Sequence, residues 1–114
     1  MMYRPKFLLL VVFLIFTLKP AASANYLFSD LVSQCRLPFQ SGQLFCAGYL
    51  AGALEMHRLT RNRFPSAAVI CAPVLKVEER KEILVEWAKA HPEHKDLTPP
   101  EGVMRAFSEK FPCP

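Results

Sequence analysis

The amino-acid sequence predicts an all-α fold, a small four-helix domain stapled by disulfides. Apolar residues recur at helical spacing in four stretches. A length of 114 residues suits a single domain. The chain has four cysteines, an even number, which in an exported protein favours two disulfides. Disulfides would suit a domain of about 90 residues, because its core is modest and each bridge adds roughly 2–4 kcal/mol of stability.

Residues 1–24 have the three parts of a secretory signal peptide. Arg4 and Lys6 form a positive start, residues 7–18 are almost entirely apolar, and Ala22-Ser23-Ala24 is a small-residue cleavage site. The apolar run is too short for a transmembrane helix, which needs about 20 apolar residues. We therefore expect export from the cytosol with cleavage after Ala24 and no membrane contact afterwards. An uncleaved anchor is the alternative.

The charge of the mature domain, residues 25–114, is close to neutral. The whole chain has 14 Lys+Arg against 10 Asp+Glu. Three of the basic residues, Arg4, Lys6 and Lys19, lie in the signal segment, which contains no acidic residue. The mature balance is therefore 11 minus 10, or +1. This balance removes the case for nucleic-acid or polybasic membrane binding.

The cysteines are predicted to be structural. They are Cys35, Cys46, Cys71 and Cys113. No Cys-x-x-Cys pair occurs and the histidines fall at no ligand spacing relative to the cysteines, so we expect neither a metal nor a cofactor. Among the three possible pairings we favour Cys46–Cys71 with Cys35–Cys113. The pairing of Cys35 with Cys46 and of Cys71 with Cys113 remains open.

The first two predicted helices lie on either side of Pro38. The first spans Asn25–Arg36, and the second starts with Ser41 as its N-cap and runs through Leu59. A glycine inside a helix costs about 1 kcal/mol relative to alanine. Gly48-x-x-x-Gly52 therefore predicts close packing of another helix over this side, with ligand contact as the alternative.

A loop is predicted over residues 60–73. Arg58, Arg61 and Arg63 lie near its start. We interpret the three arginines as a solvated face, and a patch that binds an anion or a partner is the alternative.

The third helix is predicted from about Lys76 to Ala90. Its acidic row of Glu78, Glu82 and Glu86 looks superficially like paired catalytic carboxylates. Nothing apolar surrounds the row to raise a pKa, so we interpret it as a solvated face.

The fourth helix starts at Thr98, whose spacing to Glu101 predicts a capping box. Val103, Phe107 and Phe111 follow at four-residue spacing and form its apolar stripe. Together the four stretches predict a compact helical domain.

No motif of hydrolases, metalloproteases or nucleotide-binding proteins occurs in the sequence. A Cys–His nucleophile with His57 or His91 would need a free thiolate, which disulfide pairing would consume. We therefore expect no enzymatic activity, and binding is the more natural role. The polar link between the third and fourth helices is held at both ends and would present a loop to a partner, with a plain connector as the alternative. Its residues are His91, Pro92, Glu93, His94, Lys95 and Asp96.

Four short motifs occur in a familiar order. They are Phe45–Gly52 (FCAGYLAG), Cys71-Ala72-Pro73, Trp87–Pro92 (WAKAHP) and Phe111-Pro112-Cys113. Together they resemble the Rap/Tai family of type VI secretion immunity proteins, which block peptidoglycan amidase effectors in the periplasm. The resemblance extends over nearly the whole mature chain, from about Leu27 to Cys113.

The resemblance implies a small all-α domain that occludes the active-site cleft of a toxin with an exposed loop and helix surface, often as a homodimer. The matching loop is 91–97. The expected function is thus a periplasmic immunity protein that binds and sterically inhibits a secreted peptidoglycan amidase effector. The alternative is a periplasmic stress or chaperone-like helical protein without catalytic activity.

Overall fold

The structure, a computed structural model, describes residues 25–38 and 40–114. Its four helices are α1 (Phe28–Arg36), α2 (Gln40–Arg63), α3 (Val77–Ala90) and α4 (Pro99–Lys110). Short 3-10 turns follow α2 and α3, at Pro65–Ala67 and Pro92–His94. Within the described residues no strand forms, and an isolated bridge joins Ile70 to Pro112. The predicted all-α, disulfide-stapled fold is confirmed.

The signal peptide predicted over residues 1–24 lies outside the described residues. Of the helices in the described part of the chain, none combines the length and the apolar character needed to cross a membrane.

Three of the helices begin in the same way. In each, the acidic residue at the third helical position accepts the N–H of the residue before the helix. Asp30 accepts from Leu27 at 2.8 Å, Glu79 from Lys76 at 3.0 Å and Glu101 from Thr98 at 3.3 Å. These carboxylates also complement the positive end of the helix dipole.

The capping role predicted for Glu101 is confirmed, with one difference. The Thr98 hydroxyl donates to the same Glu101 carboxylate at 3.0 Å instead of accepting from the helix backbone.

Helix α2 is longer at both ends than predicted. It begins at Gln40, so Ser41 lies inside the helix and is not its N-cap. It continues four residues past Leu59 to Arg63, so the arginines predicted near a loop start lie on its last turns. Neither proline nor glycine interrupts this stretch before Pro65, which disfavours the helical conformation at Phe64. Cations at a helix C-terminus also stabilise it.

The core forms where α1 contacts the other three helices. Helix α1 buries one face, and each of the other helices adds apolar side chains to it. The buried side chains are Phe28, Leu31, Val32, Cys35, Cys46, Leu50, Ile70, Leu84, Val103, Ala106 and Phe107.

The tightest packing in this core lies between α1 and α4. A Cβ atom on Gly102 would lie 2.1 Å from Cδ2 of the buried Phe28 ring. The same ring meets Trp87 of α3 edge-on, with 5.8 Å between the ring centroids. Gly102 is thus the position where the backbone of α4 approaches α1.

The close packing predicted over Gly48 and Gly52 is wrong. No heavy atom lies within 4 Å of a Cβ built on either glycine, and both are exposed. The helical period explains why. Cys46 and Leu50 point into the core, and a residue two positions further along a helix lies on the opposite side.

The favoured disulfide pairing, Cys46–Cys71 with Cys35–Cys113, is also wrong. The bridges are Cys35–Cys46 and Cys71–Cys113, each with 5.0 Å between Cα atoms. The first joins α1 to the start of α2 across the turn at Pro38. The second lies beside the Ile70–Pro112 bridge, where the Cys71 N–H donates to the Phe111 carbonyl at 2.8 Å. Sequence spacing alone does not determine connectivity.

We predict opposite effects from alanine at the two kinds of glycine. Gly48→Ala and Gly52→Ala should each stabilise the fold by about 0.5–1 kcal/mol, because both sites are open helix positions. Gly102→Ala should destabilise it by about 1–3 kcal/mol, because the Phe28 ring has nowhere to move. Urea unfolding at a concentration where the protein is monomeric measures both. A destabilising Gly48→Ala would contradict the exposed placement of this side of α2.

We predict that the two disulfides stabilise the fold unequally. They close segments with sequence separations of 42 and 11 residues. The chain-entropy relation then gives about 4 kcal/mol for Cys71–Cys113 and about 3 kcal/mol for Cys35–Cys46. Thermal unfolding of the C71A/C113A and C35A/C46A variants compares them, because alanine leaves no hydroxyl in the core around Cys35 and Cys46. The idea fails if C35A/C46A is clearly the less stable of the two.

Candidate partner-binding site

The predicted partner loop, His91–Asp96, is fixed at its backbone by the helices around it. The His91 N–H donates to the Trp87 carbonyl at 3.0 Å as α3 ends. The first N–H groups of α1 then bind the far side of the loop, with Phe28 donating to the Leu97 carbonyl at 2.8 Å and Ser29 to the Lys95 carbonyl at 3.0 Å. These donors have no partner within their own helix. The loop therefore caps α1, and α1 orders the loop.

Three nearly parallel rings, those of Trp87, His91 and His94, stack where the loop meets the end of α3. The His91 ring stacks on Trp87 with centroids 4.3 Å apart and 19° between planes. The His94 ring lies 5.6 Å from Trp87 at 7°. Stacking of this kind contributes beyond the apolar area it buries. The stack fixes both histidines against the end of α3.

A carboxylate from α4 completes this support. Trp87 Nε1 donates to Glu109 Oε2 at 2.6 Å, and His91 Nε2 lies 3.8 Å from Glu109 Oε1. His91 Nδ1 lies 2.9 Å from the Trp87 carbonyl oxygen. A carbonyl only accepts, so Nδ1 carries the proton and Nε2 faces the carboxylate.

The six predicted loop residues have two different roles in the structure. Pro92, Glu93, Lys95 and Asp96 are exposed. The side chains of His91 and His94 are only 27% and 28% exposed, because they face Trp87. The four exposed residues are accessible at the surface, and the stacking of the two histidines on Trp87 holds the loop in place.

Sequence reasoning missed Trp87 and Glu109 as supports of the loop. The two are 22 positions apart, and no local spacing pattern relates residues on different helices. A lone tryptophan one turn before a His-Pro helix end was the available signal.

A second surface, the exposed face of α2, was also missed. We define it as Leu44, Gly48, Gly52, Met56 and Leu59. Leu44 and Met56 are 65% and 64% exposed, with the two open glycines between them. Contiguous exposed apolar side chains along a helix indicate an interaction surface, whereas single exposed apolar side chains are normal on a protein surface.

Aromatic side chains border the exposed face of α2 near its start. The Phe45 ring lies 6.3 Å from Tyr49 and 6.2 Å from Tyr26. Burial raises the pKa of the Tyr49 hydroxyl. Burial, followed by the nearby Asp30 charge and Tyr49, raises the pKa of Tyr26. Both phenols therefore stay neutral over the physiological range.

Two of the three arginines near the end of α2 have partners within the chain. Arg58 Nη2 donates to Glu55 Oε2 at 2.8 Å, and this hydrogen bond and the Arg58 charge lower the pKa of Glu55. Arg61 Nη1 donates to the Ile70 carbonyl at 3.3 Å. Arg63 is exposed at the helix end. The arginines therefore mainly bind groups within α2 and in the segment before Cys71.

No Cys–His nucleophile forms among the described residues. All four cysteines are in disulfides, and His57 Nε2 accepts the Ile70 N–H at 3.1 Å. Within residues 25–38 and 40–114, no three His, Cys, Asp or Glu side chains are placed to hold a metal ion.

Comparison with known proteins identifies the family. The sequence model of the Rap1a immunity proteins matches residues 28–113. A comparison with curated proteins and a comparison with solved structures each gave no match. The matched residues run from the start of α1 to the last cysteine, so they contain all four helices, both disulfides and the loop between α3 and α4. The chain therefore belongs to the Rap1a immunity protein family.

Proposed function

We propose that the chain is a periplasmic immunity protein that binds a peptidoglycan amidase effector of type VI secretion and blocks it sterically. Family membership supports the immunity role. The observation that supports the mechanism is the loop His91–Asp96, which is exposed at its tip and fixed at its base by the ring stack and by α1. The chain is expected to have no enzymatic activity of its own.

A rigid loop suits steric inhibition. A partner that binds a preformed loop loses little conformational entropy, so more of the contact energy appears as affinity. A standard interface buries about 800 Å² on each partner, and a few central anchors supply most of the binding energy. No covalent step is needed, because a loop seated in the catalytic cleft excludes the substrate.

The disulfides support a periplasmic location. Cys35–Cys46 and Cys71–Cys113 use all four cysteines, and such bridges persist in oxidising compartments. The location and the cleavage after Ala24 remain part of the proposal, to be tested by fractionation and by N-terminal sequencing of the mature protein.

The proposal is tested with the peptidoglycan amidase encoded nearest to the gene. The mature chain should co-purify with the amidase, inhibit its cleavage of peptidoglycan in vitro and protect cells that export the amidase from lysis. Absence of binding and of protection would overturn the proposal. Suppression of client aggregation by the same preparation would then favour the chaperone-like alternative.

We predict that reversing the loop charges weakens inhibition without unfolding the protein. Lys95→Glu with Asp96→Lys keeps the net charge, and both side chains are exposed. The Lys95 carbonyl that binds Ser29 belongs to the backbone and is retained. Affinity for the amidase, measured by calorimetry, should fall at least about tenfold, typical of an interface anchor.

The matched control for the loop variant is Glu78→Lys, a charge reversal on the solvated side of α3 that should leave the affinity unchanged. Equal affinities for the wild type and the loop variant, at unchanged melting temperature, would exclude the loop from the interface.

We also propose that two copies of the chain pair through the exposed face of α2. This face is apolar, and its two glycines allow close approach of another helix. The 24-residue helix is long enough to carry an interface on its own.

Charge favours an antiparallel pair. The first part of α2, residues 40–54, carries no charge, whereas Arg58, Arg61 and Arg63 lie at its end. Parallel helices would bring the two arginine clusters together. An antiparallel crossing at Gly48 and Gly52 places each cluster beside the uncharged start of the other helix.

We predict that Met56→Glu produces a monomer. The substitution introduces a charge into the apolar face, at a side chain that is 64% exposed in the single chain. Sedimentation velocity should show at least a tenfold weaker dimer, while circular dichroism remains helical. Ser66→Glu is the control, because it adds the same charge at an exposed position outside α2. A wild-type chain that stays monomeric at high micromolar concentration would rule out the pairing.

A further inference from the structure

A groove of about 840 Å³ lies between α3 and α4, with the segment Pro73–Leu75 along one side. Its floor is apolar and contains Ile83, Trp87 and the buried Ala106. The Cys71–Cys113 bridge fixes the chain just before the side segment to the end of α4. The groove is therefore a formed feature of the fold, with walls tied together covalently.

The rim of this groove is strongly acidic. Glu79, Glu82, Glu86 and Glu109 line it, and Lys110 is the one cation among its lining residues. Clefts lined by charges of one sign above low-dielectric walls concentrate the field and attract the opposite charge. An occupant of the groove should therefore carry positive charge.

The mouth of the groove is apolar as well. Val74, a lining residue on the side segment, is 99% exposed. A fully exposed valine beside a partly apolar floor favours an occupant with apolar side chains. The acidic rim requires positive charge and the apolar floor requires apolar side chains. Together they describe a segment in which lysine or arginine alternates with apolar residues.

The groove is continuous with the proposed partner loop. Trp87 lines the groove and also stacks on His91 and His94. Glu109 lines the groove and also accepts the Trp87 indole N–H at 2.6 Å. A partner seated on the loop thus lies directly beside the groove.

We propose that this acidic groove binds a cationic, partly apolar segment of the effector, next to the loop that blocks the catalytic cleft. The inference rests on the proposed immunity function for the identity of the partner. The loop then excludes the substrate, and the groove selects effectors that carry the complementary basic segment. The groove attracts effectors that carry this basic segment, and it binds effectors without the segment more weakly. One immunity protein can thereby discriminate among similar toxins.

The groove is tested first without any effector. Trp87 is the single tryptophan of the chain, so its fluorescence reports on the groove floor. The probe is acetyl-Lys-Leu-Lys-Leu-Lys-amide, added to the mature protein at low salt. A saturable fluorescence change is expected with this peptide and none with acetyl-Glu-Leu-Glu-Leu-Glu-amide. Equal responses to both peptides would overturn the charge preference.

Two single substitutions on α3 form a matched pair for this test. Glu82→Gln removes a rim charge, whereas Glu78→Gln removes a charge from the same helix outside the groove. Glu82→Gln should weaken peptide binding at least threefold and Glu78→Gln should leave it unchanged. Equal weakening by both substitutions would mean that overall charge, and not the groove, attracts the peptide.

The amidase assay then separates the two proposals. No amidase binding by the wild-type chain contradicts the proposed function, and the peptide result still decides the chemistry of the groove. Amidase binding that is unchanged by Glu82→Gln at low salt contradicts the groove inference and leaves the function standing. If Glu82→Gln instead dissociates a dimer of the chain, the occupant is a second copy and the inference is wrong. The expected result is at least threefold weaker amidase binding, with no change in oligomeric state.

Discussion

The packing of the Phe28 ring on the backbone of Gly102 fixes the position of α1, and most of the molecule follows from it. The ring fills the space that a side chain on α4 would occupy, and its edge meets Trp87 of α3. With the ring in place, the first N–H groups of α1 reach the carbonyls of Lys95 and Leu97. One buried aromatic contact therefore joins three helices and sets the loop that we propose as the partner site.

The disulfides reinforce this arrangement, with Cys35–Cys46 buried in the core and Cys71–Cys113 half-buried. Cys35–Cys46 holds the antiparallel turn between α1 and α2, and Cys71–Cys113 ties the chain before α3 to the end of α4. A small domain has few buried side chains to oppose the entropy of unfolding, so covalent links between distant segments stabilise it effectively. Neither disulfide lies on the exposed face of α2 or in the acidic groove, so both surfaces are open for binding.

The sequence predicted the four helices well because their signals are local. The apolar stripe of Val103 and Phe107 and the capping carboxylate of Glu101 each involve residues within one or two helical turns. The errors concern relations between distant segments. Gly48 and Gly52 suggested close packing, yet which side of α2 faces the core depends on where α1 docks. The predicted disulfide pairing is wrong and the support of the loop by Glu109 is not predicted, both for the same reason. No sequence spacing encodes contacts between helices.

Trp87 links the two proposed binding elements physically. Its ring stacks on His91 and His94 and also forms part of the groove floor, while Glu109 accepts its indole N–H. A segment that enters the groove must therefore contact the same ring that orders the loop. If the segment strengthens the stack, loop and groove bind cooperatively, since the ordering of Trp87 is shared between them. A double-mutant cycle between Lys95 and Glu82 would then show a coupling energy. Without the shared Trp87 ring no coupling is expected, because Lys95 lies on the loop and Glu82 on α3.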